Sequence, residues 1–503
     1  MASPDPAPLQ PLTLPPRDVN VIVAGSLLAM FLAALDQTIV ATVLTAIAAD
    51  LGGLTLVSWI ITAYLLTSTC ATLIMGKLSD MYGRRPLILA AIGIFLLGST
   101  LAGFAQSMPM LIAARAIQGI GGGAIITVVQ SAVADVVAPR ERGRFSGYYA
   151  IVFATAALLG PIVGAQITHH AGWPWIFWIN LPLGLLAMLV VDRALRRVPV
   201  HASRAAIDYV AIATFSIAAT SLLLFVSTGG VRLPWTSAPM IACGVSTVVF
   251  GSLFIRRQVT AAEPILAPRL LTDRAVVPIY LGMFCIFGCY LATIVTVPIY
   301  LQIALNVPLS EVGLLLIPMT LFTSVAAGFG GRFTRAKGRY KPPPLFSLAV
   351  AITALVTLAA YVHTATPTLV GCLLLLVGLG MGPCFPCSMV GVQNAVPRRD
   401  IGAATGGLVF FRALGGAMVT AAASALLLGL IAAWVPGASG VGGLENLVRQ
   451  PLTPVERGLV VDAFRVAFCF IAGVLATGWL IFWQVHERPL RTSDDIVREG
   501  RGD

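Results

Sequence analysis

The chain has 503 residues, of which 58% are hydrophobic and 11% charged, with a formal net charge of +11. A soluble domain carries about 25% charged residues, so this composition excludes an ordinary soluble protein. The basic residues are spread along the chain and form no single patch, which gives no indication of a nucleic acid partner.

Apolar runs long enough to cross a membrane recur from one end of the chain to the other. We predict fourteen spans, near 19–49, 54–75, 87–106, 109–136, 144–168, 173–192, 207–228, 237–255, 275–302, 309–330, 345–363, 367–396, 401–434 and 464–485. The predicted fold class is therefore an all-α integral membrane protein embedded in the lipid bilayer.

Arginine and lysine concentrate in alternate connections, and those on the other side carry almost none. Positive loops stay in the cytoplasm, so both termini are predicted to be cytoplasmic. The Pro-rich start of the chain lacks the basic region of a signal peptide. We expect a multi-pass protein of a bacterial plasma (inner) membrane.

Two connections resemble each other. GKLSDMYGRRP (76–86) joins spans two and three, and GRFTRAKGRYKP (331–342) joins spans ten and eleven. Each has two glycines seven residues apart, followed by basic residues. This predicts two pseudo-symmetric six-helix bundles, 18–198 and 261–487, with a two-helix insertion at 199–260 and cytoplasmic tails at 1–17 and 488–503. Repeated bundles around a midplane site are a transporter architecture.

A carboxylate stands in the first span, in FLAALDQTIV, where Asp36 is the acidic residue well inside the apolar run. Placing an Asp at a helix centre costs about 2.5–3.5 kcal/mol on insertion scales. Two interpretations are open: a site that binds a proton or a cationic substrate, or a structural ion pair inside the bundle.

Two arginines also lie well inside apolar spans. Arg115 is permanently charged, so it is suited to tuning a neighbouring carboxylate or to bonding helices together, and Gln118 follows one turn later on the same face. Arg412 lies in the second bundle, whose interior offers it no acid. Its candidate partners are Asp36 across a cavity, backbone carbonyls or an anionic substrate.

A binding cavity should be aromatic with few polar groups. Candidate lining residues are Trp59, Tyr64, Gln118, Phe153, Tyr290, Gln302, Gln393 and Asn394, although ordinary packing is an alternative for each. No P-loop pattern, nucleophile–base set or metal-ligand cluster is present, so we predict no enzyme activity, no cofactor and no metal.

Four stretches now identify a family by resemblance. GKLSDMYGRRP resembles the cytoplasmic signature of the major facilitator superfamily, and its matching residues are Gly76, Leu78, Asp80, Gly83, Arg84 and Arg85. LIAARAIQGIGGG (111–123) resembles the fourth-helix signature of the superfamily's proton-coupled exporters. LLGPIVGA (158–165) resembles the fifth-helix antiporter signature at Gly160, Pro161 and Gly164. LDQTIVATVLTAI (35–47) resembles the first helix of the fourteen-helix drug:proton antiporters, with Ala41 in place of the usual Asn.

The resemblance implies proton-coupled, alternating-access export of hydrophobic, often cationic, small molecules. It implies a proton-coupling role for Asp36, Arg115 and Arg412, and a hinge or seal on the fifth helix. It also implies a cytoplasmic latch, in which Asp80 docks near helix N-termini of the other bundle, where the helix dipole favours an anion.

Two alternatives remain open: a dedicated exporter of one metabolite, lipid or siderophore, and a non-transporting membrane sensor or scaffold. A periplasmic adaptor protein is possible as a partner but is not indicated.

Overall fold

A computed structural model describes residues 16–52, 56–137, 139–196, 207–229, 233–261, 264–265, 268–435 and 453–490. The predicted tails at 1–17 and 488–503 lie outside these ranges except for 16–17 and 488–490. Helix α1 already begins at Pro16, inside the segment that the sequence assigns to the N-terminal tail.

Helices account for nearly all of the described chain. The first half contains α1 (Pro16–Thr42), α2 (Leu44–Leu51), α3 (Val57–Tyr82), α4 (Arg84–Gly103), α5 (Met108–Val136), α6 (Pro139–Ala171), α7 (Trp175–Trp178) and α8 (Asn180–Leu195). The two linker helices are α9 (Tyr209–Thr228) and α10 (Ala238–Thr260). The second half contains α11 (Val277–Ile303), α12 (Leu309–Lys337), α13 (Pro342–Ala360), α14 (Pro367–Met381), α15 (Cys384–Ala395), α16 (Ile401–Trp434) and α17 (Pro454–Trp483).

Fourteen segments of the described chain are long and apolar enough to span a membrane, in agreement with the predicted number. Three predicted spans are broken in the structure. The first bends at Val43, between α1 and α2, and the span at 173–192 divides into α7 and α8 at Ile179. The span at 367–396 divides into α14 and α15 around Gly382 and Pro383. The bend at Val43 involves neither proline nor glycine, so local sequence does not announce it.

The last helix begins ten residues earlier than the predicted span at 464–485. Its N-terminus is a capping box, in which Thr453 and Glu456 bond each other's backbone N–H, with Pro454 in the first turn. Charged residues in that first part lower its hydropathy, whereas the cap and the proline start the helix there.

The two related connections each turn at a glycine with positive φ, although ψ is 157° at Gly83 and 20° at Gly338. Gly83, between α3 and α4, has φ +89°, and Gly338, after α12, has φ +68°. Side chains other than glycine's rarely adopt this left-handed region, which accounts for a glycine at the second position of each repeat.

The halves of the molecule meet at the predicted cytoplasmic end, where α3 packs along α16 and α6 packs along α12. Gly76 and Gly402 lie at the first of these crossings, where a Cβ on Gly76 would lie 2.3 Å from the carbonyl oxygen of Gly402. Along α16, residues 401–409 are all buried, 410–413 are partly exposed, and Leu414 packs with Leu66 of α3, so the two helices stay in contact beyond Phe410.

The linker helices α9 and α10 pair with each other through the hydroxyls of Ser221 and Ser246, 2.9 Å apart. They also rest on α16, because the ring of Phe215 packs between Phe254 of α10 and Phe410. The insertion thus covers the α3–α16 crossing from one side.

Candidate functional site

The carboxylate of Asp36 accepts three side-chain hydrogen bonds within the first bundle. Nη1 of Arg115 lies 2.6 Å from Oδ2, Nε2 of Gln118 lies 2.8 Å from Oδ1, and Nδ2 of Asn180 lies 2.9 Å from the same oxygen. Asp36 and Arg115 are each only 1% exposed. The ion is therefore held by the protein's own donors, away from water, as a buried charge requires.

A second layer of polar groups orients the first. Asn180 also donates to Oγ of Ser99 at 3.0 Å, and Ser99 donates to the carbonyl oxygen of Phe177 at 2.8 Å. Arg115 donates to Oε1 of Gln118 at 2.6 Å. The network joins α1, α4, α5, α7 and α8, so a change in the charge of Asp36 acts on five helices.

Aromatic rings cover the guanidinium of Arg115. Its Cζ lies 4.4 Å from the centroid of the Tyr64 ring and 5.9 Å from that of Phe177. The ring of Tyr64 reaches Arg115 because α5 presents glycine to it, and a Cβ on Gly122 would lie 2.0 Å from the Tyr64 hydroxyl. Cation–π contacts of this kind stabilise a desolvated cation by about 2 kcal/mol.

Helix α6 approaches α1 next to Asp36. Thr38 donates to the carbonyl oxygen of Ala156 at 2.9 Å. A Cβ on Gly160 would lie 2.1 Å from the Thr38 hydroxyl, and one on Gly164 would lie 2.9 Å from that of Thr42. Pro161 is exposed on the opposite side of α6. The fifth-helix glycines therefore provide close contact with α1, one turn from the buried carboxylate.

Asp80, at the predicted cytoplasmic end of the first bundle, links the two halves of the molecule. Its Oδ1 accepts the backbone N–H of Gly402 at 2.9 Å, and its Oδ2 accepts that of Ala403 at 2.8 Å. These N–H groups lie at the N-terminus of α16, where the helix itself offers them no carbonyl partner and the helix dipole favours an anion. The Asp80 carboxylate thus lies at a helix N-terminus of the second bundle.

The arginines that follow Asp80 stay within the first bundle. Arg84 lies 2.7 Å from Asp80 and 2.7 Å from Asp135, and Arg85 lies 2.6 Å from Asp192. The ion pairs that Arg84 forms with Asp80 and Asp135 hold the Asp80 carboxylate in the position in which it meets the N-terminus of α16.

A family model described as Major Facilitator Superfamily matches residues 26–420, which include the Asp36 network and the Asp80 contact. This chain belongs to the major facilitator superfamily. Among its relatives is "Multidrug transporter protein MdtP" of Bacillus subtilis, 32% identical over 402 residues, covering 79% of this chain and 73% of that protein. Another is "Efflux pump dotC" of Dothistroma septosporum, 30% identical over 505 residues, covering 96% and 87%.

A solved facilitator has the same fold. The proton:xylose symporter XylE superposes with a TM-score of 0.63, covering 95% of this chain and 98% of that one, at 14% identity. This chain is thus a multi-pass, all-helical facilitator, and no catalytic family is indicated for it.

The predicted cavity residues of this facilitator do not form one cluster. Tyr64 and Gln118 belong to the Asp36 network, and Phe153 packs between the two apolar clusters of the first bundle. Trp59 packs on Leu66, Leu223 and Leu414 beside the linker helices. The remaining four lie on the second bundle: Tyr290, Gln302, Gln393 and Asn394.

Of those four, Tyr290 lies in a group of three aromatic rings described below. Gln393 lies between the bundles, 3.1 Å from Oγ1 of Thr405 and 3.5 Å from the carbonyl oxygen of Gln130. Gln302 bonds the backbone of its own helix at Pro298, and Asn394 donates to the backbone of 488–489. These contacts hold Gln302 and Asn394 away from Tyr290.

Arg412 is not part of the Asp36 network. Its Cζ lies 5.0 Å over the ring of Phe287, and within the described chain no carboxylate lies in ion-pair distance of it. Of the three candidate partners of Arg412, Asp36 is therefore not the one it meets in this structure, because Arg115 and two amides already bond the Asp36 carboxylate.

The site residues that sequence reasoning missed are Asn180 and Ser99. Asn180 ends the stretch WPWIFWIN. The tryptophans of this stretch favour a position at the membrane interface, and that pattern does not indicate a buried amide in the polar network. An amide followed by Leu-Pro inside an apolar run is the signal that could have found it. In the described residues, no three His, Cys, Asp or Glu side chains are grouped as a metal site would need.

Proposed function

We propose that this facilitator is a proton-coupled antiporter that exports hydrophobic small molecules by alternating access. The observation that carries the proposal is the buried Asp36 carboxylate with its three donors. A proton on Asp36 cancels the charge that holds Arg115, Gln118 and Asn180 together, so protonation frees these donors to rearrange. Proton binding then acts on the packing of α1 against α4, α5 and α8.

The relatives' names support export as the direction. One is called a multidrug transporter and another an efflux pump. The solved neighbour is a proton:xylose symporter at 14% identity, and its likeness supports the fold alone.

The contact of Asp80 with α16 supports a latch at the cytoplasmic end. In this arrangement the bundles are held together at Gly76 and Gly402, with Asp80 on the N-terminus of α16. We propose that this is the state closed to the cytoplasm, with the termini on that side, and that the latch opens when substrate is loaded from the cytoplasm or inner leaflet.

The proton gradient is large enough for the task. One proton moving inward gains roughly 2.3 kcal/mol per 100 mV. At 1.4 kcal/mol per tenfold, this sustains about a 50-fold concentration gradient of the exported compound. ATP hydrolysis is then not needed.

Everted membrane vesicles test the proposal. With an inward proton gradient imposed, wild-type vesicles should accumulate one or more members of a panel of hydrophobic cationic, anionic and neutral dyes, and a protonophore should abolish the accumulation. Accumulation unaffected by the protonophore would contradict proton coupling. Transport of a single metabolite or lipid and of no dye would favour a dedicated exporter, and no transport of any compound would favour a sensor or scaffold.

A further inference from the structure

Arg412 is a membrane-embedded cation without a carboxylate partner in the described chain. It lies on α16 about three turns after the helix begins. Its one described contact that stabilises charge is the ring of Phe287, 5.0 Å from Cζ. An arginine inside a membrane protein normally pairs with an acid or a carbonyl or faces a water-filled cavity, since its charge is expensive there. Its position therefore needs an anion or open water next to it.

The helix face that carries Arg412 points between the bundles. Thr405 lies seven residues, or about two turns, earlier on the same face of α16. Its hydroxyl meets Gln393 of α15, which reaches the carbonyl oxygen of Gln130 on α5 of the other bundle. The side chains of 401–409 are buried, whereas 410–413 are partly exposed. Arg412 is thus a partly exposed cation about two turns beyond the Thr405–Gln393–Gln130 contact between the bundles.

Three aromatic rings stand beside the guanidinium. The ring centroids of Phe287 and Tyr290 are 6.0 Å apart, and Phe385 lies 6.1 Å from each of them, nearly perpendicular to both. We call Phe287, Tyr290 and Phe385 the aromatic trio. All three side chains are partly exposed, so their rings offer an apolar surface next to a fixed positive charge.

The two bundles differ in the charge that they leave free to bind a compound. Asp36 is neutralised by Arg115 and filled by two further donors, so it offers no free anionic charge to a cationic compound. Arg412 offers a free guanidinium fork, which binds carboxylates and phosphates with two parallel hydrogen bonds. A hydrophobic cation meets repulsion at Arg412, whereas a hydrophobic anion meets its complement.

We infer that Arg412 and the aromatic trio form a subsite for the anionic group and adjoining apolar part of a hydrophobic organic anion, with a carboxylate, sulfonate or phosphate ester on the guanidinium. The inference rests on the proposed function, since the anion is taken to be the exported compound. It differs from the often cationic substrates that the family resemblance implies, and it takes up the anionic substrate that the sequence offers as one candidate partner of Arg412.

Binding is measured on the purified full chain in nanodiscs of phosphatidylcholine, so that no proton gradient is involved. The probes are two xanthene dyes of similar shape, anionic fluorescein and cationic rhodamine 6G, followed by fluorescence polarisation. We expect the wild type to bind the anion at least about tenfold more tightly, the difference of a charge-assisted hydrogen bond. Arg412→Gln should lose that preference, and Arg412→Lys should keep part of it.

The matched control is Arg465→Gln, which removes the same charge from an exposed position on α17. It should leave both affinities unchanged. Because Arg412 has no carboxylate partner, Arg412→Gln should melt at or above the wild-type temperature, whereas an arginine that holds the fold together would lower it. Unchanged anion affinity in Arg412→Gln, or tighter cation binding in the wild type, would overturn the inference.

Two further arms separate related outcomes. Displacement of fluorescein by phosphatidylglycerol in an Arg412-dependent manner would support the anion subsite and identify its occupant as a lipid headgroup. If the anion binds as expected but vesicles show no proton-driven accumulation of it, the subsite stands and the proposed transport function fails. If proton-driven transport occurs but ignores Arg412, the subsite fails alone.

Discussion

Asp36 keeps a negative charge inside apolar helices because three side chains solvate it in place of water. One donor is a cation and two are amides. Arg115 and Gln118 lie one turn apart on α5, and Asn180 is the first residue of α8. Removing one partner of such a network leaves a buried group unsatisfied, which costs about 1–3 kcal/mol. At the scale of single residues, this network therefore holds its members in place, and it is also the proposed proton site.

Sequence reasoning identified part of this network. Asp36 and Arg115 stand out because charges in apolar runs are rare, and Gln118 follows from helical spacing. Asn180 does not stand out, since its approach to Asp36 depends on how α7 and α8 turn back toward α1. That is a long-range packing result, which no local pattern contains.

Asn180→Leu tests the network directly. The change keeps the branched shape and the number of side-chain heavy atoms but removes the hydrogen bonds to Asp36 and Ser99. We expect a lower melting temperature of the purified protein, corresponding to about 1–3 kcal/mol. Ser99→Ala is the control, because it leaves the Asp36–Asn180 bond intact and should lower the melting temperature less. Equal melting temperatures for Asn180→Leu and the wild type would contradict the role of Asn180.

At the scale of helices, the contact between α3 and α16 depends on glycine on both sides. A Cβ on Gly76 would meet the carbonyl oxygen of Gly402 at 2.3 Å, and one on Gly402 would meet that of Gly76 at 2.2 Å. The contact brings the N-terminus of α16 to Asp80. The spacing of Gly76 and Asp80 is visible in the sequence, but the partner glycine 326 positions later is not.

Gly76→Ala should disturb this contact without touching the Asp36 network. Because the added methyl group clashes with backbone, closure at the cytoplasmic end becomes unfavourable by about 1–3 kcal/mol. In the proposed cycle, the turnover rate of export then falls about tenfold, while the dissociation constant of substrate changes less than about threefold. Rates in everted vesicles and dye binding to purified protein measure the two quantities.

Gly328→Ala is the matched control for this change, since a Cβ at that position on α12 meets no atom within 4 Å. It should leave both turnover and binding at the wild-type level. A Gly76→Ala protein that binds substrate poorly but turns over normally when saturated would contradict a latch at this crossing.

At the scale of the whole molecule, the repeated connections link the two halves with opposite charges. Asp80 of the first copy reaches the N-terminus of α16, and Arg335, at the equivalent position of the second copy, lies 2.9 Å from Glu141 in the first turn of α6. The Arg335–Glu141 pair is exposed and contributes little stability, about 0–1 kcal/mol. The Asp80 contact is the buried one. The two equivalent contacts therefore differ in how much they stabilise the structure, although the backbone is pseudo-symmetric.

The apolar runs predict the number of membrane-spanning helices, and the related connections predict the two-fold repeat. The bend at Val43 is not predicted, because the sequence shows hydropathy and not the packing that bends a helix. The division between α14 and α15 does have a local signal, since Gly382 and Pro383 stand at it and proline removes a backbone hydrogen bond. The position of Arg412 is likewise decided by packing, which leaves it over Phe287 and away from Asp36.

Asp36→Asn in proteoliposomes tests the proton-coupling role most directly. Asn resembles the protonated carboxylic acid in shape and neutrality, so the variant should exchange substrate across the membrane at equal concentrations but lose accumulation driven by a pH gradient. Asp462→Asn, the same change on α17, is the control and should keep both activities. Full gradient-driven accumulation by Asp36→Asn would contradict the assignment of Asp36 as the proton site.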